Sequence, residues 1–335
     1  MSPLDCPQSS TKESPQSSIK EKQSPVINNT EAKPSSNQLL HINFAQIAEI
    51  EQLRQSKVIV LATSMLDMEF LPELYDMLLT IGHSKRLDVV LYGRGGQVNA
   101  ARKIALLLHK FTDQLTFIVP HHCQSACTIL ALSGAQIIAS DMAIFSPIDP
   151  RLNADSSSSS EAPSAMASED IRLFCRMSED WFDLKGEQIR GELLSALAAS
   201  IFPTTLTSVY RSTLETKDIA LQMLALQGSS ISEQQREQIA SKLLSGYHSH
   251  SYAIEALELK ALGLNIHQDS QIERLAWSIA TQIRQTLGGG VRKTPMDPRI
   301  DVMLATASEI TLRQRYPQTI APSWVRLTNS AEPKQ

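Results

Sequence analysis

The sequence predicts an α/β fold, in which a parallel sheet of βαβ units is followed by a mainly helical C-terminal part. Short apolar runs such as KVIVLAT alternate with amphipathic segments between residues 57 and 140. Glycine or serine follows two of these runs, where strands are expected to pass into helices. From residue 168 onward, long segments of helical periodicity replace the short runs. Alternation of strands with helices is typical of parallel sheets with right-handed crossovers.

Period and local composition predict the individual elements. Strands are predicted at 57–63, 86–93, 114–120 and 135–140. Helices between them are predicted at 67–82, 97–111 and 125–134. Further helices are predicted at 168–200, 203–226, 231–244, within 251–266, at 270–287 and near 301–313. The first group of elements is expected to form the sheet and its crossovers, and the second group the helical part.

Composition divides the chain into three parts. Residues 1–40 are rich in Ser, Pro, Lys and Gln and contain few large apolar residues, which predicts a disordered tail. Residues 41–270 are expected to form the main domain, and residues 271–335 a helical extension with a loose tail. The low-complexity, serine-rich stretch at 153–170 predicts a mobile insertion, either a solvated spacer or a flap over a neighbouring cleft.

Charge and cysteine content exclude several classes of protein. The formal charge of −4 and the lack of a basic stripe argue against nucleic-acid binding. Four cysteines in 335 residues do not resemble a secreted disulfide framework. The pair Cys123 and Cys127 has the spacing of half a zinc site but no second pair follows, so neither a metal nor another cofactor is expected. No apolar run is long enough to span a bilayer, and a cytoplasmic protein is expected.

Two junctions between a predicted strand and a predicted helix carry the candidate chemistry. Gly95 and Gly96 turn the chain in YGRGGQVNAARKIA, and Ser125 precedes a helix in HHCQSACTILAL. The first amides of a helix have no intrahelical partner and favour a negative oxygen. In a parallel sheet both junctions lie at the carboxyl edge, where ligands bind. The layout predicts acyl transfer, with Ser125 as nucleophile and the amides of Gly96 and Ala126 as oxyanion donors, although Ser125 as a plain N-cap is the simpler alternative.

These motifs resemble the serine dehydrogenase proteinase family of the ClpP/crotonase superfamily, which is related to signal peptide peptidase A. The resemblance covers roughly residues 57–266 and rests on four segments: Gly95–Val98, Ser125–Thr128, Ser146–Pro150 and the stretch from Ser249 to Leu264. It implies a ClpP/crotonase-like sheet, a serine peptidase that hydrolyses peptide bonds, a peptide or protein substrate, and a homo-oligomer. The chain departs from the family pattern at three positions, which are Arg94, Cys127 and Leu259.

A serine nucleophile needs a base, and the sequence leaves its identity open. The resemblance implies His250, in a polar turn before a helix, where a structural histidine is the alternative. Lys217 and Lys185, each expected on a helix, are the rival bases, by analogy with signal peptide peptidase A, and either would need burial to lose its charge. Asp149 is expected to have a structural role in its turn or to orient a base.

Other functions remain open from the sequence. Cys123 is an alternative nucleophile, and adjacent His121 and His122 are expected to point in opposite directions, so that at most one faces the site. A chain that kept the fold and lost the base would be a non-catalytic scaffold or binding protein. A crotonase-type acyl-CoA enzyme would use the same oxyanion geometry without needing a serine at this junction.

Overall fold

The computed structural model describes residues 45–152, 166–228, 231–287, 296, 298–317, 319 and 321–328. The predicted tail at 1–40 lies outside these residues, as does most of the insertion predicted at 153–170. Only the last residues of that insertion are described, where a short strand passes into a helix.

The helices of the described part are α1 (Ala45–Arg54), α2 (Leu71–Ile81), α3 (Val98–Leu108), α4 (Ala126–Ala131), α5 (Ser168–Phe182), α6 (Glu187–Ser200), α7 (Pro203–Ala225), α8 (Glu233–Ser245), α9 (Ala256–Ala261) and α10 (Ser270–Thr286). The strands are β1 (Lys57–Thr63), β2 (Ser84–Gly93), β3 (Thr112–Val119), β4 (His122–Cys123), β5 (Gln136–Ala139), β6 (Ile144–Phe145), β7 (Arg151–Leu152), β8 (Met166–Ala167), β9 (Ile266–His267), β10 (Arg299–Ala305), β11 (Glu309–Arg315) and β12 (Ser323–Thr328).

One mixed sheet organises the fold, with the strand order β12-β11-β10-β1-β2-β3-β5-β9. Strands β1, β2, β3, β5 and β9 are parallel, and the short pair β4 and β6 extends β2 at its carboxyl end. The predicted fold class is confirmed, because strands alternate with helices up to β5 and helices dominate from α5 to α10. The four strands and three helices predicted between 57 and 140 all form, with ends that differ by a few residues.

Both faces of this sheet are covered. Ile59 and Leu61 of β1 belong to a large hydrophobic cluster with residues of α2, α3, α4, α7 and α8. The alternate residues Val58 and Val60 are equally buried but lie outside that cluster, as expected for side chains on the opposite face. There α1 and α10 pack against each other and against the sheet. Burial on both faces explains why these strands read as continuous apolar runs.

The helix predicted near 301–313 is wrong. Residues 299–315 form the antiparallel hairpin of β10 and β11, and β10 pairs with β1, so the C-terminal strands extend the same sheet. Val302, Met303 and Leu304 are all buried. A short apolar run buried on both faces cannot be told from a helix by its periodicity alone, which is why the sequence misled here.

The helical part differs from the prediction in two further places. The single helix predicted at 168–200 is broken into α5 and α6, because Asp183 takes a left-handed conformation (φ 53°) and Gly186 has φ 113°. The helix α1 has no counterpart among the predicted elements, because its two buried residues, Ile47 and Ile50, give only a weak periodic signal. Within the described residues, no single helix has both the length and the apolar composition of a membrane span, and α6 and α7 reach those limits only together, across a bend of 106°.

Candidate active site

Ser125 lies at the turn between β4 and α4, at the carboxyl edge of the sheet. Its backbone has φ 51° and ψ −119°, a conformation that residues with a side chain rarely adopt. Its amide donates a hydrogen bond of 2.8 Å to Ser146 Oγ, which holds the turn from the neighbouring strand β6. Such backbone strain costs about 1–3 kcal/mol and is concentrated at functional sites. The side chain of Ser125 makes no capping hydrogen bond, so the simpler N-cap alternative lacks the contact that defines it.

Gly95 lies directly against Ser125. A Cβ on Gly95 would be 2.8 Å from Ser125 Cβ and 3.2 Å from its Oγ, and Gly95 has φ 113°. Only glycine therefore fits here without displacing the serine. The structure thus brings together the two junctions that the sequence singled out separately.

The segment at Gly95 and Gly96 pairs on one side with Leu66, in the loop between β1 and α2. The Leu66 amide donates to the Gly95 carbonyl over 2.7 Å, and the Gln97 amide donates to the Leu66 carbonyl over 2.8 Å. In this ladder pattern the N–H and C=O of Gly96 point away from Leu66, toward the other edge of the segment. Within the described residues, neither the Gly96 amide nor the Ala126 amide donates to a protein acceptor. Gly96 is exposed, so its amide is open to a ligand, whereas Ala126 is fully buried.

His250 is paired with Asp149. The carboxylate oxygen Oδ1 of Asp149 lies 2.7 Å from His250 Nδ1 and accepts the ring hydrogen, so that Nε2 is the ring nitrogen left for another partner. The Asp149 side chain is 2% exposed and that of His250 16%. Reciprocal hydrogen bonds between Phe145 and Ile254 hold the two segments that carry this pair. Asp149 Oδ2 has no hydrogen-bond partner in the described structure.

The pair belongs to the same edge of the fold as Ser125. Ser146, which accepts from the Ser125 amide, precedes Asp149 by three residues and follows β6, which pairs with β4 beside Ser125. Among the described residues, no hydrogen bond joins Ser125 Oγ to the His250 ring, so the pairing of these two residues stays a prediction.

The rival lysines are occupied elsewhere. Lys217 on α7 forms an ion pair with Glu237, and Lys185 forms one with Asp183. Lys185 lies in the loop between α5 and α6 and not on a helix as predicted, and its side chain is 68% exposed. Each lysine is thus paired with a carboxylate and not with the serine, which favours neither of them as the base.

The two cysteines beside Ser125 are structural. Both are fully buried, and burial raises the pKa of the Cys123 thiol well above its ordinary value. Burial also raises the pKa of the Cys127 thiol to about 12, although a hydrogen bond from the Gly95 backbone opposes this shift. Cys127 Sγ fills the space in front of Gly93, where a Cβ would lie 2.6 Å from it. Protonated buried thiols are poor nucleophiles, so the geometry favours Ser125 over Cys123.

The adjacent histidines were expected to point in opposite directions, and the structure contradicts this. The rings of His121 and His122 stack, with centroids 4.0 Å apart. The strand β4 is only two residues long, so strand alternation is not imposed on His121, whose Nδ1 donates to the Met142 carbonyl over 2.9 Å. The rings lie near Tyr92 on β2 and Trp277 on α10. This places them against the sheet face that carries α10.

Acid is expected to destabilise the protein through His122. Burial, followed by the charges of His121 and Arg94, lowers the pKa of His122 to about 4, against about 6.5 in the unfolded chain. Between these values the unfolded state binds more protons, so stability present above pH 6.5 is lost as the pH falls toward 4. Urea unfolding across this range measures the slope, and His122→Gln should reduce it. An unchanged slope would contradict the prediction. Burial also lowers the pKa of His109, so part of the slope should remain.

Two features of the site became clear only in the structure. Asp149 was expected either to have a structural role in its turn or to orient a base, and the contact between residues 149 and 250 reveals its partner. The Leu66 backbone, which aligns Gly95 and Gly96, carries no side-chain chemistry that a motif could show. Ser125, Gly96, Ala126 and His250 were named from the sequence, and their catalytic roles stay predictions.

Comparison with known proteins supports the resemblance drawn from the motifs. The family model described as ClpP-like SDH-type serine proteinase matches residues 33–171, which confirms it over that segment. Ser125, Gly96 and Asp149 lie inside the matched range, whereas His250 lies beyond it.

Two uncharacterized proteins of Methanocaldococcus jannaschii are similar in sequence. MJ1495 is 24% identical over 255 residues, which cover 72% of this chain and 76% of that protein. MJ0137 is 37% identical over 68 residues, which cover 20% of this chain and 24% of that protein.

Among solved structures, a variant of the 1510-N membrane-bound stomatin-specific protease has 13% identity and a TM-score of 0.39, covering 64% of this chain and 82% of that one. A ClpP1 variant from Listeria monocytogenes has 11% identity and a TM-score of 0.36, covering 67% and 99%. Both TM-scores are low, so the fold assignment depends on the chain's own topology and on the family model.

Proposed function

We propose, because residues 33–171 match the model of the ClpP-like SDH-type serine proteinases, that this chain is a serine peptidase that forms an acyl-enzyme on Ser125. The observation that carries the proposal is the contact of Ser125 with the Gly95–Gly96 segment, whose Gly96 amide faces away from its own ladder. A strained serine beside free backbone donors is the arrangement that acyl transfer requires.

In the proposed mechanism, Ser125 Oγ attacks the peptide carbonyl while His250 Nε2 takes the hydroxyl proton. Asp149 holds the ring through Nδ1–H and stabilises the imidazolium that forms. The amides of Gly96 and Ala126 donate to the oxyanion of the tetrahedral intermediate. His250 then gives its proton to the leaving amine, and the C–N bond breaks. In the second half of the reaction, His250 takes a proton from the water that attacks the ester, and it returns this proton to Ser125 Oγ as the acyl C–O bond breaks.

The substrate is proposed to be an extended peptide. The outer edge of the Gly95–Gln97 segment presents the N–H and C=O of Gly96, which an added strand can pair with. Pairing through the backbone aligns a peptide without demanding a particular side chain, so this edge supports general peptide binding.

Labelling with a fluorophosphonate probe tests the proposed function. Intact-mass analysis should show one adduct per chain, and peptide mapping should place it on Ser125. The Ser125→Ala variant should remain folded and unlabelled, and Ser249→Ala, which removes an exposed serine next to His250, should label normally. No adduct on the folded wild-type protein, at any pH from 6 to 9, would overturn the peptidase proposal.

A non-catalytic scaffold is the second candidate, and one observation favours it: Ser125 Oγ has no hydrogen bond to His250 here. The two candidates differ in the same experiment, since a scaffold keeps the fold and any peptide binding but is not acylated. If the wild-type protein does not react with the probe but binds peptide in a calorimetric titration, this result would support the scaffold.

A homo-oligomer is part of the proposal. Five large apolar side chains on α5–α7 and the turn before α7 are more than half exposed: Trp181, Phe182, Leu194, Phe202 and Tyr210. Exposed apolar groups concentrated in one part of a fold favour contact with another protein. We expect a second copy to cover these side chains, and sedimentation should show a mass above one chain. The Trp181→Ser, Phe202→Ser double variant should shift the mass toward the monomer, and a monomeric wild-type protein would contradict the expectation.

The predicted boundary at residue 270, with a helical extension after it, does not hold, because β10 pairs with β1 in the main sheet and α10 packs against α1. We propose that the peptidase domain begins near residue 41 and includes α10 and β10–β12, and that the protein is cytoplasmic. The cysteines at 123, 127 and 175 are unpaired, as expected in a reducing compartment.

A further inference from the structure

A buried ion-pair cluster joins the C-terminal hairpin to the loop before α2. Arg313 on β11 is 1% exposed and lies between two aspartates. Its Nη1 and Nη2 donate to the two carboxylate oxygens of Asp67 over 2.8 and 2.7 Å. Its Nε and Nη2 donate to Asp301 over 2.8 and 3.1 Å. Paired hydrogen bonds of this kind between charged groups set orientation as well as distance.

At the partly exposed edge of the cluster, Arg315 also connects the hairpin to the loop before α2. Arg315 Nε donates to Asp301 over 2.6 Å, and Arg315 Nη2 donates to Glu69 over 2.7 Å. The Ser64 amide donates to the Asp301 carbonyl over 2.9 Å. The loop from Ser64 to Glu69 is therefore attached to the hairpin at its start, middle and end.

This loop is the one that aligns the oxyanion segment. Asp67 directly follows Leu66, whose N–H and C=O hold Gly95 and Gln97 on either side of Gly96. The route from Arg313 to the Gly96 amide thus consists of one carboxylate, one peptide unit and two backbone hydrogen bonds. Gly96 and the Leu66 backbone are in direct contact, because a Cβ on Gly96 would overlap that backbone. A displacement of Leu66 would therefore move Gly96 as well.

We propose that Arg313 is a positioning residue for the oxyanion donor at Gly96, acting through Asp67 and Leu66. The inference rests on the proposed peptidase function and extends it to the hairpin of β10 and β11, which lies outside the segment that the family model matches. Removal of the guanidinium leaves Asp67 and Asp301 as neighbouring buried carboxylates with only the partly exposed Arg315 to offset their charge. Their repulsion is expected to displace the loop. Displacement of a catalytic group by about 1 Å can lower a rate about 100-fold.

Arg313→Met and a matched control separate positioning from general stability. Arg54→Met removes another largely buried arginine, which pairs with the fully buried Asp88 on the same sheet but contacts neither the loop nor the glycines. Both variants should be destabilised. At a temperature where both are fully folded, Arg313→Met should lower kcat, or the rate of fluorophosphonate labelling, about 10- to 100-fold with KM nearly unchanged, whereas Arg54→Met should change either rate less than about threefold.

Conservative variants refine the test. Arg313→Lys keeps the charge and can satisfy one aspartate but not both, so its rate should fall between those of the wild-type protein and Arg313→Met. Asp67→Asn keeps the shape of the side chain and should slow labelling while leaving the Arg313–Asp301 pair in place. It replaces Arg313→Met in the comparison if that variant does not fold.

Amide hydrogen exchange gives a readout that does not depend on activity. In Arg313→Met, exchange at residues 64–68 and 95–97 should accelerate more than at α8, and in Arg54→Met it should not. Equal rate losses in Arg313→Met and Arg54→Met, or unchanged exchange at residues 95–97, would overturn the proposal. If the wild-type protein is never labelled, the peptidase function fails, and the exchange experiment alone then decides whether Arg313 holds this segment.

Discussion

Replacement of His250 by alanine is expected to lower kcat by about 1,000-fold or more, because Ser125 then has no group to take its proton. Asp149→Asn should cost nearly as much while changing the shape of the pair little. An amide in place of the carboxylate can donate to Nδ1, which selects the wrong tautomer of the ring and removes the charge that stabilises imidazolium. Steady-state hydrolysis of a peptide substrate measures both effects.

His248→Ala is the matched control for this prediction. His248 is exposed, precedes His250 by two residues and has no described role, so its loss should leave kcat unchanged. If the His250→Ala variant retains kcat within tenfold of wild type, the base must be another residue. Lys217→Met would then be the next test, since Lys217 is the less exposed of the two rival lysines.

Gly95→Ala is expected to disable the site by shape alone. The added Cβ would come within 3.2 Å of the Ser125 hydroxyl oxygen and 2.8 Å of its Cβ, in a backbone with φ 113°. Backbone strain and overpacking each cost about 1–3 kcal/mol, so we expect a loss of about 3 kcal/mol in the free energy of unfolding. Because Ser125 must move away, fluorophosphonate labelling should fall by at least about 100-fold.

The Gly82→Ala variant separates the effect of backbone strain from the effect of overpacking. Gly82 has φ 73° at the end of α2, but a Cβ there would meet nothing within 4 Å. This variant should therefore lose about 1 kcal/mol through backbone strain and keep full labelling. If Gly95→Ala behaves like Gly82→Ala in both measurements, the close approach of Gly95 to Ser125 is not part of the site.

Particular elements show how far sequence reasoning reaches. The run KVIVLAT predicted β1 correctly because a strand buried on both faces is apolar throughout. The similar apolar run DVMLA was wrongly predicted to be a helix. In so short a run, a buried helix and a buried strand have the same composition, and only the elements packed against the run distinguish them. The single helix predicted at 168–200 is interrupted at Asp183, which takes a left-handed conformation. Aspartate permits this conformation but does not require it, so the residue type alone does not predict the break.

The sequence by itself determined the alternation of strands and helices up to residue 140 and placed Ser125 and the glycine pair at strand ends. Both are local properties, carried by residues within one turn or one strand of each other. Only the tertiary structure decided that His250 meets Asp149 across 101 positions and that Arg313 meets Asp67 across 246. Such contacts depend on which strands become neighbours in the sheet, and that order follows from the packing of the whole chain rather than from any one segment.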